Sequence, residues 1–174
     1  MLHSLIRIIQ ILFGFHKAEK VLFLDFDGVM ATEEYTDTLV AKKKDTRDKF
    51  GTLFNPNNIE MLELIIRQTH AAIVITSDWR NYLSLWDMIR MWEYRKLPGK
   101  IIGLTPSIST HRGDEIDKWL YKHSKIKKYV IIDDMDYRQF RKEQRPYLVT
   151  TNHFFGLDKS SSNSAVNILN RTSH

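Results

Sequence analysis

The chain has 174 residues, 43% hydrophobic and 27% charged, a composition that fits one globular domain and excludes a disordered polymer. It contains no cysteine, which excludes disulfides, thiolate metal sites and a cysteine nucleophile. With 26 Lys+Arg against 21 Asp+Glu, the formal charge of +5 leans weakly toward anionic partners such as phosphate esters or nucleic acid.

Residues 4–15 are strongly apolar, but Arg7 and Gln10 interrupt the run. It is shorter than the ~20 residues that span a bilayer, and no small-residue cleavage site follows. A helical extension over residues 1–19 is expected, packed on the domain, with an interfacial membrane helix or a partner-binding helix as alternatives. No transmembrane span is expected, and the location expected is cytoplasmic.

Strand and helix signals alternate after residue 20, which argues for an α/β fold with a central, mostly parallel sheet. The first strand, 21–25, is a continuous apolar run that ends in Asp25-Phe26-Asp27-Gly28-Val29. Such a run reads as a strand buried on both faces. Residues 30–54 are polar and charged and read as an inserted loop or small flap. Asn55-Pro56-Asn57 sets up a helix start, and Ile59, Leu62, Ile65 and Ile66 give that helix an apolar stripe.

A second buried strand over 71–76 ends at Thr76-Ser77-Asp78, and a helix is expected from about 81 to 94. After Pro98-Gly99 come a short strand at 101–102 and a helix beginning near Arg112. Residues 129–134 form a third apolar strand that also ends in acids, Asp133-Asp134. A last strand is expected at 147–149, a polar hinge at 160–163 and a closing helix beyond it. Trp86, Trp92 and Trp119 fall at helical core spacing, and Asp136 reads as a helix-start residue.

In open parallel sheets, chemistry gathers beyond the carboxyl ends of the strands. If the two acid-ended strands are neighbours, Asp25, Asp27, Asp133 and Asp134 converge on one edge. Carboxylates that close repel one another unless a cation neutralises them. A hard, oxygen-liking ion such as Mg²⁺ suits the cluster better than zinc, since no histidine set accompanies it. Thr76 and Ser77 offer hydroxyls for a phosphoryl oxygen, and Arg112 stands at a helix start, where an anion is favoured.

These residues resemble a known family. Asp25-Phe26-Asp27-Gly28-Val29, the strand ending at Thr76-Ser77, Arg112 and Asp133-Asp134 stand in the order used by the haloacid dehalogenase superfamily of phosphatases. More closely, Ile75 to Arg80, Arg112 to Ile116, Val130 to Asp134 and Leu148 to Leu157 look like the dehalogenase-type domain of Swiss Army Knife RNA repair proteins. The resemblance covers roughly residues 20–170 and implies a three-layer Rossmann-like fold with a small cap at 30–54, within a hydrolase domain spanning 20–174.

It also implies a Mg²⁺-dependent phosphatase: Asp25 as nucleophile, forming an aspartyl-phosphate, and Asp27 as acid–base. Asp25, the Asp27 carbonyl and Asp133 or Asp134 would hold the metal. Thr76 would bind the phosphoryl group, with Ser77 as fallback, and Arg80 is a candidate substrate contact. One departure is that the superfamily usually carries a lysine where this chain has Arg112, with Lys100 and Lys118 as less well-placed alternatives.

Arg138, Arg141, Lys142 and Arg145 recur at helical spacing and read either as a solvated face or as a track for a nucleic-acid backbone. His153 lies in a loop that borders the site and is kept out of the catalytic set. The partner expected is a phosphorylated substrate, with nucleic-acid ends or a small phosphomonoester as candidates. The alternative is a binding module of the same fold that docks RNA or a protein.

Overall fold

The structure, a computed structural model, describes residues 18–171. The helical extension expected over residues 1–19 lies almost wholly outside that range. Five strands form one parallel sheet: β1 (Lys20–Leu24), β4 (Ala72–Ile75), β5 (Ile101–Leu104), β6 (Lys128–Asp133) and β7 (Leu148–Thr150), in the order β5-β4-β1-β6-β7. The first strand is therefore central. The chain builds outward on one side through β4 and β5, then returns to β6 and β7 on the other. That reversal makes the β1/β6 boundary the topological switch point, where ligands of open α/β sheets bind.

The apolar run of β1 divides by alternation between two cores. Leu22 and Leu24 join Ile73, Ile75, Val130 and Ile132 in a large core with helices α2 (Pro56–Thr69), α3 (Leu85–Tyr94) and α5 (Lys159–Asn170). Val21 and Phe23 join Val74 and Ile131 in a smaller core on the opposite face, closed by Ile116 and Trp119 of α4 (Arg112–Lys122). Fully burying each aliphatic side chain of β1 contributes about 1.5–3 kcal/mol, so a polar residue on either face would be costly.

Local signals fix the helix ends. Asn55 caps α2 by accepting from the Asn57 N–H, with Pro56 in the first turn, as the sequence predicts. The helix expected over 81–94 is shorter and preceded by a 3₁₀ turn at Asp78–Asn81; α3 starts only at Leu85, where Ser84 and Asp87 form a capping box. The residues read as a hinge at 160–163 lie instead inside α5, because Asp158 and Ser161 cap each other and start the helix there. Asp136 does begin a turn, a 3₁₀ one at Tyr137–Gln139.

Residues 30–54 hold more structure than a loop: helix α1 (Glu33–Ala41) and a two-stranded antiparallel ribbon, β2 (Arg47–Asp48) and β3 (Gly51–Thr52). Arg95 clamps the ribbon to α3, with its Nε 2.9 Å and its Nη2 2.8 Å from the two Asp48 oxygens.

The basic helix face expected over residues 138–145 does not form. Two 3₁₀ turns flank an irregular segment, Arg138 pairs with Asp136, and Arg141 pairs with Asp114 and Asp117. Among the described residues no helix is long and apolar enough to cross a membrane.

Candidate active site

Strands β1 and β4 stop one residue short of their functional side chains, so Asp25 and Thr76 are the first residues past the sheet, while Asp133 ends β6. The ladder nevertheless continues through their backbones. The Asp25 N–H donates to the Ile132 carbonyl at 3.1 Å and the Thr76 N–H to the Leu24 carbonyl at 3.0 Å. The register of three buried strands thus sets these side chains side by side.

Asp25, Asp133 and Asp134 each offer a carboxylate oxygen, and the three oxygens lie within 4.8 Å of one another. Asp25 and Asp133 are buried and Asp134 is partly exposed. Burial raises Asp25 above the ordinary carboxylate range, opposed by the Arg112 guanidinium and by hydrogen bonds from the Phe26 N–H and the Ser77 hydroxyl. Asp133 is also raised, first by burial and then by the Asp25 charge. One of its oxygens accepts from the Met135 N–H at 3.0 Å; the other is buried with no hydrogen-bond partner among the described residues.

Arg112, at the first turn of α4, is itself buried. Its Nη1 lies 3.5 Å from Asp25 Oδ1 and 3.7 Å from Asp133 Oδ2, and donates to the Thr76 carbonyl. Arg112 is thus the cation set beside Asp25 and Asp133. Lys100 sits at the amino end of β5, on the sheet edge opposite the site, and Lys118 is exposed midway along α4. Thr76 is fully buried, and its hydroxyl has no hydrogen-bond partner among the described residues.

After Asp25 the chain turns sharply, with the Phe26 carbonyl accepting from the N–H groups of Val29, Met30 and Ala31. Gly28 has φ +68°, and a Cβ there would lie 2.1 Å from Asp134 Oδ2. This turn swings Asp27 away from the three clustered carboxylates. Its side chain is exposed, and Oδ2 accepts from Trp79 Nε1 at 2.9 Å. The Asp27 carboxylate thus stands apart from the three-acid cluster, and the metal contact that the resemblance implies for Asp27 is its backbone carbonyl. Although the carboxylate reaches solvent, the protein around it partly desolvates it and raises Asp27 as well, with the Trp79 hydrogen bond acting to lower it.

Ser77 is spent locally. Its hydroxyl donates to Asp25, and its oxygen accepts from the Trp79 N–H at 3.4 Å. Arg80 is not available as a phosphate contact. Its side chain is 4% exposed and bonds Glu115, the Thr76 carbonyl and, at 3.3 Å, Asp78. Glu115 in turn accepts from the Ile108 N–H at 2.9 Å, so the pair ties the loop after β5 to the end of β4. His153 does border the site, with Nδ1 3.3 Å from Asp134 and Nε2 3.0 Å from Glu33.

Trp79 and Glu115 were not separable from the sequence. Trp79 stands only as one residue of the segment Ile75–Arg80, and an indole that orients a carboxylate leaves no spacing signature. Glu115 looks like any acid in a first helical turn.

The three carboxylates, the orphaned Asp133 oxygen and the free Thr76 hydroxyl fit a hard divalent cation and the anionic group it would bind. No curated protein and no solved structure gives a significant match to the chain. Residues 21–161 match the family described as the HAD domain in Swiss Army Knife RNA repair proteins. The order of elements, the switch-point site and that match together place the chain: it belongs to the haloacid dehalogenase (HAD) superfamily, in the HAD domain family of Swiss Army Knife RNA repair proteins.

Proposed function

We propose that this protein is a Mg²⁺-dependent phosphohydrolase acting on phosphorylated nucleic-acid ends through an aspartyl-phosphate on Asp25. The observation that carries the reading is the placing of Asp25 between a buried guanidinium and two further carboxylates at the sheet's switch point.

In the first step an Asp25 oxygen attacks phosphorus. The bond to the leaving oxygen breaks, and that oxygen takes the proton of Asp27. In the second step Asp27, now ionised, accepts a proton from water as the water oxygen attacks the same phosphorus. The bond to Asp25 breaks, and inorganic phosphate leaves. The raised affinity of Asp27 for its proton suits a group that must be an acid and then a base.

Thr76 donates its free hydroxyl to a phosphoryl oxygen, and Arg112 offsets the charge on Asp25 and Asp133. Asp25, Asp133, Asp134 and the Asp27 carbonyl would hold Mg²⁺, which when bound supplies charge neutralisation of the phosphoryl group. Residues 30–54 serve as a small cap, leaving the site open to a bulky substrate.

The test is phosphate release from 3′- and 5′-phosphorylated oligonucleotides and from small phosphomonoesters, with Mg²⁺, beside Asp25→Asn. Release by the wild type that the variant loses supports the reading. Equal inertness of both proteins on every substrate refutes it.

A further inference from the structure

Asp27 stands where two clefts meet, and Thr52 of the ribbon lines both. On the phosphohydrolase reading, the group leaving from phosphorus must lie on this side of the site, because Asp27 protonates it. One of the two clefts therefore takes that group, and their chemistry differs.

The first, of about 360 Å³, is lined by Glu33, Asp37 and His153. Its acids repel a leaving group that carries further phosphates. The second, of about 440 Å³, is lined by Phe50, Trp79, Tyr82 and Leu83, with Arg47 and a single further acid, Asp78, which pairs with Arg80, at its wall. Tyr82 is 86% exposed at its edge, a large ring left in water.

The ribbon that forms this wall is basic. Lys42, Lys43, Lys44, Arg47 and Lys49 are all exposed within eight residues of one another. Of the acids among them, Asp48 is already bonded by Arg95, leaving Asp45 as the local offset. The wall is also held in place. A Cβ on Gly51 would meet the Trp79 ring at 2.8 Å, and the Arg95 guanidinium lies 4.6 Å from the Phe54 ring centre. The cleft is therefore preformed, with aromatic rings and Arg47 in its lining and the basic segment 42–49 adjoining it, a pairing that binds single strands by stacking and by backbone charge.

We propose that this cleft and the basic ribbon receive a single-stranded nucleic acid whose phosphorylated end reaches Asp25, with one base stacked at Trp79 and Tyr82 and the following phosphates met by Arg47 and the ribbon lysines. The inference rests on the phosphohydrolase reading for its direction, but the binding it describes is separable from turnover.

The experiment measures binding of a fluorescent single-stranded oligonucleotide to the Asp25→Asn protein, and to the same protein carrying Tyr82→Ala or Arg47→Ala. Phosphate release by wild type, Tyr82→Ala and Arg47→Ala is followed in parallel. Tyr82→Ala is expected to weaken binding about tenfold. Arg47→Ala is expected to reduce the slope of log affinity against log salt by about 0.7. The ratio of kcat/KM for a phosphorylated oligonucleotide over that for p-nitrophenyl phosphate should fall about tenfold in the Tyr82→Ala enzyme.

Equal binding by all three proteins, equal binding of a strand made abasic near its phosphorylated end, or no binding while p-nitrophenyl phosphate is hydrolysed would overturn the inference. Binding that depends on Tyr82 and Arg47, in a wild type that hydrolyses nothing, would support the cleft and overturn the phosphohydrolase reading alone.

Discussion

Gly28→Ala isolates the link between the turn after β1 and the acidic cluster. The substitution adds a single methyl group at φ +68°, where that methyl would lie 2.1 Å from Asp134 Oδ2 and 2.6 Å from its Cγ. Ordinary contact begins near 3.4 Å, so the carboxylate must retreat by more than 1 Å. Asp134 is partly exposed, so it has room to swing outward, away from the other two acids. The left-handed backbone costs about 1–2 kcal/mol for alanine. At 2–4 °C per kcal/mol for a chain of this size, the metal-free protein should melt roughly 2–8 °C lower.

On the proposed function, the larger effect falls on the metal. Loss of one of three carboxylates should weaken Mg²⁺ binding at least tenfold, read by calorimetric titration and by the rise in Tm with added Mg²⁺. Asp134→Asn, which leaves Gly28 unchanged, should lose metal affinity without the backbone cost. Wild-type Mg²⁺ affinity in Gly28→Ala would refute the placing of Asp134 in the cluster.

Three further outcomes are expected. Glu115→Gln leaves the Arg80 guanidinium buried with weaker partners, and should destabilise the fold by ~3–5 kcal/mol; an unchanged urea midpoint would count against the Arg80–Glu115 tie. Trp79→Phe keeps a ring beside Phe26 but removes the 2.9 Å hydrogen bond to Asp27, and should lower kcat about fivefold on a small phosphomonoester; unchanged turnover would show that Asp27 needs no such positioning. Because Asp25 and Asp133 bind protons more tightly folded than unfolded, their contribution is complete at low pH and is lost as pH rises through the folded values. The metal-free protein should therefore lose stability between about pH 4 and 7, a loss that Mg²⁺ abolishes; thermal melts across that range with EDTA or Mg²⁺ check the sign.

The sheet and its acidic edge were legible because they rest on runs of one chemical kind. Residues 21–25, 71–76 and 129–134 need no partner to read as buried strands, and the acids that end the first and third can only lie at the carboxyl edge. The errors fall where tertiary partners decide. Arg138 to Arg145 carry helical spacing, but Arg141 is drawn to Asp114 and Asp117 on α4, and the segment follows that pairing instead of its own periodicity. Arg80 reads as a candidate substrate contact until Glu115, 35 residues later, is folded onto it. At 160–163 the serines read as a hinge by composition, while the Asp158–Ser161 capping box makes them a helix start.

The buried Arg112 bears on why the site suits a divalent cation. From one guanidinium, Arg112 reaches Asp25, Asp133 and the Thr76 carbonyl together, which the point charge of an ammonium cannot do with the same geometry. It also stays charged well above neutral pH. Three ionised carboxylates against that one fixed charge leave two negative charges, which one divalent ion cancels. With the ion absent, burial and mutual repulsion lead the acids to take up protons instead, as the raised Asp25 and Asp133 indicate. On the proposed mechanism, the carboxylates that would hold the ion are those that raise one another's proton affinity without it, so metal binding would compete with protonation at Asp25.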